Sequence, residues 1–187
     1  MTTTFGERIQ DRQRRWWTEG AAVAHKSIAG KLEGRAFAGS LGCRLPDLYS
    51  VSDSIDELPL FSTLPARFVI KPTRGWSAKG VFALDNGVNL FDGKIWDREA
   101  IIRQLSEVKS QTDLSSIMYD CRSGFMVEEL LESWDHKPGI PLDYKFYAFG
   151  SRIAFIHIIE RNSNARLSAN RHWLFDEHWV PLQRQVV

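Results

Sequence analysis

The sequence predicts an α+β fold, with N-terminal helices followed by antiparallel sheets and one inserted helix. Three observations carry that expectation. Residues 5–42 read as two helices. From Arg67 onward, short apolar runs alternate with tight turn signals, as in hairpins. After Asp97 one stretch interrupts those runs, with Ile101, Ile102, Leu105 and Val108 at helical spacing.

The first helix is expected over residues 5–19, with four arginines and Trp16–Trp17 near its end. Its basic residues alternate with acids, which suits an amphipathic helix docked on the body of the protein. The second spans 21–42, with Gly42 as its stop. Gly30, Gly34 and Gly39 weaken it. RLPDLYSVSDSIDELPL reads as an irregular connector with a turn of helix at Ser54–Leu58. Strands follow at Phe68–Lys71 and Gly80–Leu84, joined by the loop Pro72–Lys79. Asn86-Gly87 and Asp92-Gly93 are turn signals, the second lying between Leu90-Phe91 and Lys94–Trp96. Asp97 suits the N-cap of the inserted helix, and Gln111–Ser116 reads as loop. Gly124–Leu131 is a third strand, followed by the polar excursion Glu132–Pro138. Tyr144–Phe149 and Ile153–Ile159 form a hairpin around Gly150-Ser151, and Trp173–Phe175 pairs with Trp179–Leu182 through Asp176–His178. The expected organisation is a helical segment at 1–50 and one compact region at 51–187.

A chain of 187 residues, 43% hydrophobic and 25% charged, suits a globular protein with a sizeable core. A net charge of +1 gives no electrostatic reason to expect nucleic acid or an acidic membrane as partner, even with the basic Trp16–Trp17 helix. Cys43 and Cys121 lack a CxxC spacing, and no apolar stretch reaches membrane-spanning length. A reduced, cytoplasmic location is therefore expected. The five histidines show no HxxxH spacing, and no serine lies in a GxSxG context. A GxxxxGK[ST] phosphate loop and the protein-kinase motif set are both absent.

Three stretches could carry chemistry. FVIKPTRGWSAKGV (68–81) puts Lys71 at a strand end before a glycine-bearing loop. An ammonium fixed by a strand and a loop able to fold over it can hold polyphosphate. Arg74 and Lys79 add cationic donors. FMVEELL (125–131) runs from an apolar strand into paired acids and a linker, which offers a flat slot and backbone hydrogen bonds for a purine. DYKFYAFGSRIAFIHIIER (143–161) places Asp143 and Lys145 on one strand face, with Arg161 ending the return strand. Each also has a purely structural reading: a solvated strand-end lysine, solvated acids, and an Asp143–Lys145 salt bridge.

In this order the segments resemble the ATP-grasp superfamily, and more closely its teichuronopeptide-biosynthesis family, from about Lys26 to Leu182. The matching pieces are GKLEGRAFAGSLGCRLPDLY (30–49), FVIKPTRGWSAKGV, MVEELL, DYKFYAFGSRIAF and WLFDEHW (173–179). The resemblance implies ATP and Mg²⁺ as cofactors. It implies Lys31 and Lys71 on the α- and β-phosphates, and Gly75, Trp76, Ser77 and Gly80 in a mobile covering loop. Glu128, Glu129, Leu130 and Leu131 would form the adenine-holding hinge, and Asp143 would reach the ribose. Lys145 and Arg161 would face the phosphate or an acyl-phosphate, as the catalytic pair. The implied reaction is ATP-dependent carboxylate–amine ligation in polysaccharide or cell-surface polymer biosynthesis. Its partner would be a carboxylate-bearing small molecule or polymer precursor; a degenerate binding or scaffold module is the alternative.

The sequence departs from the family in three places. Arg74 stands where the loop has histidine, Trp76 where a small residue is usual, and Gly30 where an aspartate is expected beside Lys31. The family's Glu-x-Asn metal strand has no counterpart either. The fold is therefore expected to be incomplete at its C-terminus, with the metal ligands unassigned and Glu160 and Asp176 the nearest candidates.

Overall fold

The computed structural model describes residues 4–18, 30–74, 78, 80–115, 124–163 and 166–182. The chain divides into two compact units, Met1–Leu45 and Pro46–Val187.

The first unit contains α1 (Phe5–Thr18) and α2 (Lys31–Ser40). Thr4 and Glu7 start α1 with a reciprocal capping box. The Glu7 amide donates to Thr4 Oγ1 at 3.3 Å, and the Thr4 amide donates to Glu7 Oε2 at 2.7 Å. The bond from the Thr4 amide holds the Glu7 carboxyl below its ordinary range. The side chains of Trp16 and Trp17 lie outside the described residues. The second helix begins at Lys31 and stops where the sequence places its end. Gly42 takes φ 75°, its amide donates to the Gly39 carbonyl, and the Cys43 amide donates to the Ala38 carbonyl. This paired closure at a left-handed glycine satisfies two otherwise orphaned carbonyls. Residues 21–29, where the sequence begins this helix, lie outside the described residues.

The second unit holds β1 (Leu48–Ser52), β2 (Arg67–Pro72), β3 (Phe82–Asp85), β4 (Val88–Asn89), α3 (Arg98–Ser115), β5 (Phe125–Glu129), β6 (Asp143–Phe149), β7 (Arg152–Glu160) and β8 (Arg171–Phe175). One sheet has the order β1-β5-β2-β3-β4, the other β6-β7-β8, and every pairing is antiparallel. The architecture is α+β, as the alternation of apolar runs and turns requires.

Period-two alternation decides which side of the first sheet is core. Phe68 and Ile70 on β2, Phe82 and Leu84 on β3, and Phe125 and Val127 on β5 pack in one cluster with Ile55, Leu58, Ile101 and Leu105. The last two bring α3 onto this face, four residues apart on one helical stripe. Asp97 caps α3 by accepting from the Ala100 amide at 2.7 Å. Arg98 ties the helix start to the preceding turn through the Leu58 and Asp56 carbonyls, at 2.9 and 2.6 Å. Asn86 and Gly87 both have positive φ and close the β3–β4 hairpin, as Asn-Gly turns do.

Three expectations need correction. The connector after residue 45 contains β1, a strand paired with β5 on one side only. At a sheet edge one neighbour suffices, so LYSVS needs no continuous apolar run to be a strand. The loop expected at Gln111–Ser116 is helical through Ser115, because α3 runs on beyond its apolar stripe. Residues 179–182 form no strand. Only Pro181 bridges, to Phe175, and Asp176 turns the chain by accepting from the His178 and Val180 amides at 2.9 and 2.8 Å.

Candidate nucleotide site

Directly opposed residues in an antiparallel pair share a face. Val69 opposes Glu128 and Lys71 opposes Met126, so Lys71 and Glu128 lie on the face of the first sheet away from the α3 core. The Lys71 ammonium forms an ion pair with the Glu128 carboxylate, with 21% and 11% of the two side chains exposed. The lysine that the sequence singles out and the first acid of the expected hinge thus meet across two strands. On the same face Arg67 sits between Asp85, at 3.4 Å, and Glu132, at 2.8 Å.

Beyond Lys71 the chain enters the loop at a fixed point. The Thr73 amide donates to the Gly124 carbonyl at 2.8 Å, and Thr73 Oγ1 accepts from the Gly124 amide at 3.0 Å. Gly124 must be glycine, because a Cβ there would stand 2.4 Å from the Ser52 carbonyl oxygen. The far end of the loop turns through Ala78 at φ 58° and Gly80 at φ 68°. Gly75, Trp76, Ser77 and Lys79 lie outside the described residues.

The expected hinge leaves β5 at Glu129. Its amide donates to the Asp47 carbonyl at 2.8 Å, and its carboxylate accepts from the Asp47 amide at 3.1 Å. Leu130 is buried and Leu131 exposed, so the apolar lining alternates between core and surface here. Burial, reinforced by Glu129 and Asp47, pushes the Tyr49 phenol up from its ordinary value. Lys31 opens α2 in the first unit and is described with that unit alone.

The second sheet gathers the other charged group. Asp143 opposes Ile159 and Lys145 opposes His157, which puts Asp143, Lys145, His157 and Arg161 on one face. Arg161 donates to Asp143 Oδ2 at 2.7 Å, and the Lys145 ammonium lies 3.8 Å from the same oxygen. The three charges converge as their spacing requires, and the Asp143–Lys145 pair exists. A feature that sequence spacing does not disclose joins them. His157 Nε2 and His172 Nδ1 lie 2.9 Å apart, on neighbouring strands and 15 positions apart in sequence. Only the β7–β8 register, with Ile159 opposite His172, reveals it. Burial first, then His172 and Lys145, push the His157 imidazole below its ordinary value; Asp143 opposes this and Arg161 adds to it.

The opposite face of this sheet is aromatic. Trp179, at φ 65°, stands edge-on to Tyr144 and Phe146 at 6.4 and 6.2 Å.

The two acids nearest to a metal role both have partners within the protein. Glu160 is held by Arg171 at 2.7 Å, and Asp176 Oδ1 accepts the two turn amides. Among the described residues, no three His, Cys, Asp or Glu side chains converge as a metal-binding group. Among them, too, no helix is long and apolar enough to cross a membrane.

No family model matches the chain, and no curated protein matches it. Among solved structures, an L-amino acid ligase from Bacillus licheniformis aligns with a TM-score of 0.37 and 12% identity. The alignment covers 84% of this chain and 42% of that one, so this chain spans less than half of that structure. A likeness that slight leaves the fold and chemistry to be argued from this chain's own residues.

Proposed function

We propose that this chain binds ATP in the manner of ATP-grasp proteins, between the Lys71-bearing face of β2 and β5 and the loop that follows Lys71. The observation that carries the reading is the meeting of Lys71 and Glu128 on that face, beside the loop anchored by Thr73 and Gly124. Strand geometry supports it. From Arg67, at the hinge end of β2, to Lys71, at the loop end, four residues of strand span roughly 13 Å. That matches the reach of a nucleoside triphosphate from base to terminal phosphate. The base would lie against Glu129, Leu130 and Leu131, and the phosphates would meet Lys71, with Gly80 at the far end of the loop. Asp143 would face the ribose. Lys145 and Arg161 would neutralise charge on a transferred phosphoryl or acyl-phosphate group, which is what phosphoryl transfer asks of a protein.

The reaction class is ATP-dependent carboxylate–amine ligation, on a carboxylate-bearing small molecule or a cell-surface polymer precursor. The second reading, a binding or scaffold module that holds nucleotide without turnover, is favoured by the engagement of Glu160 and Asp176 elsewhere.

Calorimetric titration with ATP tests the reading. The wild-type protein binds, and Lys71→Ala loses about 10- to 100-fold in affinity, the equivalent of one charged hydrogen bond at about 1.5–3 kcal/mol. Equal affinity in the two proteins removes Lys71 from the site.

A further inference from the structure

The turn after the hinge is built more firmly than a surface connector needs to be. The His136 amide donates to the Ser133 carbonyl at 2.9 Å, closing a turn with Trp134 at its first corner. Ser133 Oγ donates to Asp135 Oδ1 at 2.6 Å, and the Lys137 ammonium lies 2.6 Å from Asp135 Oδ2. The hydrogen bond from Lys137 is the main reason why the Asp135 carboxyl is held at about 2, well below the usual carboxylate range. The turn is also fastened to the sheet, through the Glu132–Arg67 pair at 2.8 Å on the face that carries Lys71.

This fixed turn presents an indole to solvent. Trp134 is 79% exposed, and among the described residues its ring makes no aromatic contact or hydrogen bond. Trp96 and Trp179, by contrast, each pack on other rings. A large exposed ring on a turn closed by these bonds has contact area to offer a flat ligand. Trp134 lies three residues past Leu131 and two past Glu132, whose carboxylate pairs with Arg67 at the hinge end of β2.

We infer that Trp134 is the stacking platform for the base of the bound nucleotide, an inference that rests on the ATP-binding reading above. The ligand class is a purine nucleoside polyphosphate. Lys71 and its neighbours hold the phosphates, and Trp134 covers the face of the base left open by the hinge.

The test compares ATP with inorganic triphosphate, which has no base. Wild type, Trp134→Ala, Trp134→Phe and Lys71→Ala are titrated calorimetrically with each. Base–aromatic stacking predicts that Trp134→Ala binds ATP about 5- to 150-fold more weakly than wild type. Trp134→Phe, which keeps a ring, stays within about threefold of wild type. Triphosphate affinity is the same in both Trp134 variants and wild type, and falls in Lys71→Ala. Unchanged ATP affinity in Trp134→Ala, alongside weakened binding in Lys71→Ala, overturns the platform and leaves the phosphate site standing. Triphosphate affinity that falls together with ATP affinity in Trp134→Ala also overturns it, since the ring would then act through the turn. A wild-type protein that binds neither ligand overturns both assignments.

Discussion

In the five-stranded sheet β2 buries every second residue and β5 buries four in succession, whereas β6 of the three-stranded sheet leaves six of its seven residues exposed. The strands are similarly apolar in sequence; their surroundings differ. α3 closes one face of the first sheet around Ile101 and Leu105, and at β5 the other face is covered as well, where Met126 and Glu128 are buried. The second sheet is held by register, by the Arg161–Asp143–Lys145 charges and by Trp179 across the aromatic face. Burial therefore stabilises the first sheet, whereas in the second it is confined to Ile156, Ile158 and Ile159 of β7, and β6 displays its side chains. Chemistry that needs a rigid ammonium belongs on the first, and chemistry that needs accessible charge belongs on the second.

Truncation of matched apolar residues breaks this contrast most sharply if it is wrong. Leu84 is fully buried and Phe146 is 52% exposed. Leu84→Ala costs about 2–5 kcal/mol, from lost transfer energy and a residual cavity. Phe146→Ala costs about 1 kcal/mol, from its partial burial and its contact with Trp179. Urea unfolding with an unchanged m-value measures both. Equal costs at the two positions would mean that the second sheet is as deeply packed as the first.

The smallest expected effect concerns pH. His157 titrates below its ordinary value in the folded protein, so at mildly acidic pH the unfolded chain binds more protons than the folded one. Its stabilising contribution is complete above the unfolded value, about 6.5, and is lost as pH falls through that value toward the folded one. Lys145, His172, Arg161 and Asp143 all act on it, from β6, β8 and the end of β7. Between pH 7.5 and 5, His157→Gln should lower the acid-induced fall in melting temperature by about 1–2 °C relative to wild type. An identical fall in both proteins would show that the His157–His172 pair does not sense protonation.

The order of elements was legible because turn chemistry is local. Asn86-Gly87, Gly150, Asp97 and Gly42 each act where their residue types predict. β1 was hidden because an edge strand is specified by its neighbour, here Met126, Val127 and Glu128 of β5, which are distant in sequence. The far end of α3 was hidden because helix continuation past the apolar stripe leaves no periodic mark. The site divides along the same line. Asp143, Lys145 and Arg161 could be placed together because a hairpin fixes their register locally. Lys71 and Glu128 come from strands 57 positions apart, and His157 and His172 meet only through β8. The sequence singled out Lys71 and Glu128 but neither histidine, and in both cases the topology made the pair.

The position of nucleotide phosphate relative to Lys71 decides whether this chain binds ATP as proposed. A crystal structure of the protein with a non-hydrolysable ATP analogue measures that directly. The predicted result is a phosphate oxygen within hydrogen-bond reach of the Lys71 ammonium, in place of or beside Glu128, with the base against 129–131. Nucleotide bound on any other surface, with the Lys71–Glu128 pair intact and untouched, would contradict it.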